Sequence, residues 1–156
     1  MNSIAVFPGS FDPVTIAHHD LVMRASPLFV KIIIAIGQNS TKKNLFALDH
    51  RLGWLQQTFA SIPNVETATY EGMTVDFCKK AGATHLLRGL RQTGDFEFEK
   101  TIAQLNHSLT GIETIFLVTR PEYSHVSSTI VREILSNGGD ARAFLPAVVA
   151  EGIQVQ

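Results

Sequence analysis

The 156-residue sequence has a single cysteine, Cys78, so no disulfide can form within the chain, and a reducing compartment is its simplest setting. It also lacks an apolar run of the roughly 18 to 20 residues that a bilayer-spanning helix needs, and no basic segment with an apolar stretch behind it stands at the N-terminus. A cytoplasmic protein is expected, with no membrane partner. Charge of one sign is scarce as well: 13 Lys and Arg stand against 14 Asp and Glu, with no long basic tract. That balance argues against a general nucleic-acid binder or an anionic-membrane binder, and any basic site must be local. His50, His107 and His125 show no ligand spacing with one another or with Cys78, so no protein metal site is expected. Repeats, low-complexity stretches and linkers are missing too, and residues 1–156 read as one domain.

What the chain has is apolar residues, 45% of the total, enough for a substantial core and an excess that a subunit interface could cover. Their spacing alternates between two periods. Short apolar runs at Ser3–Phe7, Lys31–Gly37, Val65–Thr69, Thr84–Leu87 and Thr114–Val118 read as strands, and the β-branched run Lys31–Gly37 has the pattern of a strand buried on both faces. Helical spacing falls between them: His19–Ala25 with Leu21, Val22 and Ala25 inward; Leu48–Phe59 with Leu48, Leu52, Leu55 and Phe59; Thr74–Ala81, capped by Thr74 and ended by Gly82; Phe96–Leu109 with the stripe Phe98, Ile102, Leu105 and Leu109; and a helix from Ser127-Ser128-Thr129 to Gly138-Gly139. A short apolar helix near Ala147 ends the chain. The alternation predicts an α/β fold, a single doubly wound Rossmann-like domain on a five-stranded parallel sheet.

In such a sheet the ligand crevice opens at the carboxyl ends of the strands, where their order reverses. Polar and basic groups follow the predicted strands at just those ends. Ser10 and His18 follow the first, Lys42 the second, Arg88 and Arg91 the fourth, and Ser127, Ser128 and Thr129 the fifth. His18 falls in the first turn of a helix, whose orphan N–H groups and dipole favour an anion. Together these donors read as a polyphosphate site. Taken alone, Lys42-Lys43 reads as solvated loop surface, and Ser127–Thr129 as an ordinary helix cap. Glu99 has a plain alternative in a pair with Lys100 or a neighbouring helix, and His85 reads as a strand residue with its hydrogen bond satisfied. Arg88-Gly89-Leu90-Arg91 is harder to dismiss, because two guanidinium groups at the end of a buried strand need anionic partners or water.

The string Gly9-Ser10-Phe11-Asp12-Pro13 with His18 resembles the nucleotidyltransferase signature Gly-x-Phe-Asp-Pro-x-x-x-Gly-His, with Ala17 where glycine is usual. With Lys42, Arg88-Gly89-Leu90-Arg91, Asp95-Phe96-Glu97-Phe98-Glu99 and Val126-Ser127-Ser128-Thr129 added, the chain resembles bacterial phosphopantetheine adenylyltransferases over nearly its whole length. Relatives that use CTP or nicotinamide mononucleotide share the first loop and the last helix but not the middle segment. A non-catalytic binder on a flavodoxin-like sheet would have no need of His18 beside Ser10.

The resemblance implies adenylyl transfer from ATP to 4'-phosphopantetheine, giving dephospho-CoA and pyrophosphate, with CoA as a feedback ligand, Mg2+ as cofactor bridging phosphates, and a homohexamer. It implies that His18 is catalytic and that Ser10, Lys42, Thr74 and Arg88 bind phosphopantetheine. ATP would be bound by Ser10, Phe11, His18, Gly89, Leu90, Arg91 and Glu99, and by Ser124, His125, Val126, Ser127, Ser128, Thr129 and Ile130. Thr is usual in that family at Ser10, and Asn-Gly where Ile16-Ala17 stands. If residue 17 lies in the first helical turn, with Thr15 as N-cap and Ile16 packed toward the core, Ala is compatible with the site.

Overall fold

A computed structural model describes residues 3–154. Five parallel strands, β1 (Ile4–Gly9), β2 (Lys31–Gln38), β3 (Val65–Glu71), β4 (His85–Leu90) and β5 (Glu113–Val118), form one sheet in the order β3-β2-β1-β4-β5. The helices between and after them are α1 (Ile16–Ala25), α2 (Leu48–Phe59), α3 (Thr74–Lys80), α4 (Thr93–Thr110), α5 (Ser128–Ser136) and α6 (Ala147–Gln154). The doubly wound expectation therefore holds, and the strand order reverses between β1 and β4.

Alternate residues of the central strands feed two cores, as a sheet covered on both faces requires. Ile32, Ile34, Ile36 and Leu87 pack with Leu21 and Val22 of α1, Leu55 of α2, Val131 of α5 and Val149 of α6. Val6, Ile33, Ala35 and Leu86 pack with Val75 and Cys78 of α3 on the other face. Burial drives the Cys78 thiol up to about 11, so it is an unreactive core residue.

Several boundaries differ from the sequence reading, each for a physical reason. β4 runs on through Arg88 and Gly89 to Leu90, because its ladder with β5 continues to Leu90–Val118. Gly89 belongs in that strand because α1 crosses it closely: a Cβ there would lie 2.5 Å from Leu21 Cδ1. α4 begins at Thr93 rather than Phe96, since the Asp95 carboxylate accepts the N–H groups of Arg91 and Gln92 and so organises an earlier start. Thr74 is the first residue of α3 and not its cap; its hydroxyl meets Tyr70 Oη at 2.8 Å instead. The stripe of α4 is not core. Phe98 is 68% exposed, Leu105 52% and Leu109 53%, with Ile102 exposed as well, so the helix turns an apolar face outward.

Candidate functional site

The β1–β4 ladder is short. Ala5 pairs with His85 and Val6 with Leu86, and beyond that register the strands part at their carboxyl ends. Arg88 bridges the opening, donating Nη1–H to the Pro8 carbonyl at 2.9 Å. This is the switch point of the sheet, and the loop after β1 rises from it.

That loop is tied down by buried polar groups. Asp12, 2% exposed, accepts the Leu45 N–H at 2.8 Å on one carboxylate oxygen and the Phe46 N–H at 2.9 Å on the other. Arg51, also buried, donates to the carbonyls of Phe46 and Ser10. Arg132 donates to the Asp12 carbonyl and to Thr129 Oγ1, and Ser128 Oγ donates to the Pro13 carbonyl at 2.7 Å. The first loop, the loop carrying Lys42 and the start of α5 are thus fastened to one another. The buried Asp12 and Arg51 both find their partners in it. Phe11, in the left-handed region at φ 44°, places its ring edge-on to His18 at 5.0 Å.

α1 opens with a capping box. Thr15 is the N-cap, its Oγ1 accepting the His18 N–H, while His18 Nδ1 accepts the Thr15 N–H at 3.0 Å. Nδ1 therefore presents its lone pair, and the ring proton resides on Nε2. Burial, followed by the nearby charges of Arg91 and Arg88, lowers the His18 pKa to about 4. The imidazole is neutral at physiological pH and acts as a fixed hydrogen-bond donor. Ala17 lies in the first turn, as the helix reading requires, and it lines the cleft. Ile16, expected to pack inward, is only partly buried.

The lowered His18 pKa has a consequence for stability. Between about pH 6.5 and about pH 4 the unfolded chain holds a proton on residue 18 that the folded chain does not, so this contribution is complete above pH 6.5 and is lost as the pH falls toward 4. Replacing His18 with Gln should make the urea midpoint less sensitive to acid between about pH 7 and about pH 4.5. Parallel pH dependences for the two proteins would contradict the assignment.

Two cavities meet at the switch point. The first, about 410 Å³, is lined by Ser10, Phe11, His18, Lys42, Arg88, Gly89, Arg91, Glu99 and Val126 through Thr129, together with Arg132. The second, about 420 Å³, lies toward α3 and α4 and brings in Thr74 with Tyr70, Phe98 and Asn106. Ser10, Lys42, Arg88 and Glu99 line both. Leu90, Ser124, His125 and Ile130 line neither. Leu90 ends β4, Ser124 Oγ is turned back to the Pro121 carbonyl, the His125 ring lies against Phe144, and Ile130 is exposed.

Arg88 and Glu99 form a two-point pair, Nε to Oε2 at 2.9 Å and Nη2 to Oε1 at 2.5 Å, while Lys100 takes Glu97 instead. Arg91 pairs loosely with Asp95 at 3.6 Å. Lys42 and Arg132 have no carboxylate partner among the described residues, so the cleft keeps excess positive charge. Ser127 caps α5, accepting the Ile130 N–H at 3.2 Å, and this helix start also faces the first cavity. His85, expected to be a strand residue with its hydrogen bond satisfied, opens β4 with Nδ1 2.8 Å from Thr84 Oγ1. Sequence reasoning missed Arg51 and Arg132. The spacing of four from Ser128 to Arg132 on one helix is the signal that could have found the latter.

The cytidylyltransferase-like family profile matches residues 6–134. A phosphopantetheine adenylyltransferase of Flavobacterium psychrophilum is 52% identical over 145 residues, covering 93% of this chain and 96% of that protein. The chain belongs to the phosphopantetheine adenylyltransferase family. Another member, from Limosilactobacillus reuteri, is 43% identical over 97% of this chain and 88% of its own length. The fold is shared more widely: the nicotinic acid mononucleotide adenylyltransferase of Plasmodium falciparum superposes with a TM-score of 0.70 at 15% identity, covering 97% of this chain and 94% of that one.

Proposed function

We infer that the protein transfers the adenylyl group of ATP to 4'-phosphopantetheine, giving dephospho-CoA and pyrophosphate, in CoA biosynthesis. The observation that carries this reading is the meeting of two cavities at a shared seam of Ser10, Lys42 and Arg88. The reaction joins two phosphates, so it needs two anionic ligands brought end to end with donors where they touch.

ATP occupies the first cavity, its outer phosphates against the start of α5 and Arg132, its α-phosphate beside Ser10 and His18. The pantetheine arm occupies the second cavity past Thr74, with its phosphate held by Lys42 and Arg88. A phosphate oxygen of the acceptor attacks the α-phosphorus in line, a new P–O–P linkage forms, and the bond to the β-phosphate breaks to release pyrophosphate. No protein nucleophile is needed. His18 Nε2–H donates to the α-phosphate as charge builds there.

Magnesium enters as part of the nucleotide substrate. Arg91 and Arg88 engage the cleft carboxylates Asp95 and Glu99, so magnesium would be held through the phosphates and would supply charge neutralisation there. Run in reverse, the protein should form ATP from dephospho-CoA and pyrophosphate, readable by luciferase luminescence. Absence of ATP from a folded preparation counts against the reading.

The outward apolar face of α4 supports a homo-oligomer, a hexamer by family resemblance, and Phe98 and Ile102 of that face also line the second cavity. Light scattering should give a mass of about six times 17.1 kDa, and a monomer mass would refute the assembly. CoA is expected to compete for the same two cavities as a product-like ligand. No helix among the described residues is long and apolar enough to cross a membrane, and a cytoplasmic location fits the pathway.

A further inference from the structure

The wall of the second cavity opposite Arg88 holds a feature that the phosphate chemistry does not use. Tyr70 stands on β3 directly across from Gly37 on β2. Its ring stacks on Phe77 at 4.8 Å, and its hydroxyl meets Thr74 Oγ1 at 2.8 Å. Gly37 makes room for the phenol. A Cβ there would lie 2.9 Å from Tyr70 Oη and 3.1 Å from the adjoining ring carbon, although the backbone of Gly37 needs no glycine. Any larger residue at 37 would push the phenol tip off Thr74.

Two hydroxyls that bond to each other use one O–H hydrogen between them. One hydrogen and several lone pairs remain, and both residues line the cavity. A neighbouring donor and acceptor on one wall match a secondary amide, which offers an N–H and a carbonyl.

We propose that Tyr70 and Thr74, with Gly37 behind them, form a specificity element that reads a secondary amide in the acceptor's arm. The inference rests on the reading that the second cavity takes that arm. It makes Tyr70 a determinant of which phosphorylated acceptor is used, while ATP is recognised elsewhere.

Tyr70→Phe keeps the ring and its stack on Phe77 and removes only the hydroxyl, so folding should be preserved. The expected result is a KM for phosphopantetheine raised roughly three- to tenfold, the loss of one neutral hydrogen bond, with kcat and the KM for ATP within about twofold of the parent. Gly37→Ala should reproduce part of that rise by displacing the phenol. Tyr70→Phe combined with Thr74→Val should be little worse than either alone, because the pair acts as a unit. Acceptor analogues carrying an ester in place of one amide give the sharper readout: the parent should discriminate against one of them, and Tyr70→Phe should not. Parental KM and parental discrimination in Tyr70→Phe would overturn the inference. A parent enzyme inactive with phosphopantetheine would instead remove the functional reading, and this inference with it.

Discussion

Turnover of a His18→Ala variant should fall by about 10² to 10³, with ATP affinity little changed. The expectation follows from where the ring's proton resides. Thr15 N–H occupies Nδ1, and burial keeps the imidazole neutral, so Nε2–H is a fixed donor facing the first cavity. A preorganised donor aimed at charge that develops only in the transition state contributes about 2.7 to 4 kcal/mol there and little to the ground state. The variant also loses the reciprocal bond from the Thr15 N–H to Nδ1, while Thr15 Oγ1 still caps the backbone N–H of residue 18, so the far-ultraviolet dichroism of the variant should be recorded alongside its kinetics. Steady-state turnover and equilibrium nucleotide binding decide the matter. Turnover within a few-fold of the parent would remove His18 from the chemistry.

Arg88→Ala should weaken phosphopantetheine binding by about thirtyfold or more while ATP binding changes much less. Arg88 spans the seam: it holds Glu99 by two bonds, reaches back to the Pro8 carbonyl and lines both cavities. Its removal takes away a phosphate donor and leaves the Glu99 carboxylate, 13% exposed, uncompensated beside the incoming anion. Truncating one member of a hydrogen-bonded charge pair costs about 2 to 5 kcal/mol, much of it the penalty on the partner left behind. Lys42→Ala should act in the same direction but less strongly, since Lys42 sits on an exposed loop where solvent screens its charge. Calorimetric titration with each ligand separately measures both effects. Equal losses for ATP and phosphopantetheine would contradict the placement of Arg88 at the acceptor phosphate.

Much of this site was legible in the sequence because its chemistry is local. Thr15 and Ser127 are caps whose partners lie three residues away, and the donors after each strand converge once the sheet is known to be parallel. The clamp of Asp12, Arg51 and Arg132 was not legible, because each partner is remote: Asp12 meets Leu45 and Phe46, and Arg132 reaches back 120 residues to Asp12. No periodicity encodes such pairs. The face of α4 is a different case. Phe98, Ile102, Leu105 and Leu109 have the spacing of a buried stripe, and spacing cannot distinguish a face covered by its own chain from one turned outward. The end of β4 is a third case, since Arg88 and Gly89 have the composition of a loop while ladder bonds to β5 hold them in a strand.

The claim that these two cavities join ATP to phosphopantetheine is tested most directly by pyrophosphate release from the purified protein with magnesium and paired substrates. ATP with 4'-phosphopantetheine should release pyrophosphate in step with dephospho-CoA, identified by its mass. ATP with nicotinamide mononucleotide, CTP with phosphopantetheine, and either true substrate alone should release none above background. Release with nicotinamide mononucleotide or with CTP, and none with ATP and phosphopantetheine, would contradict the account.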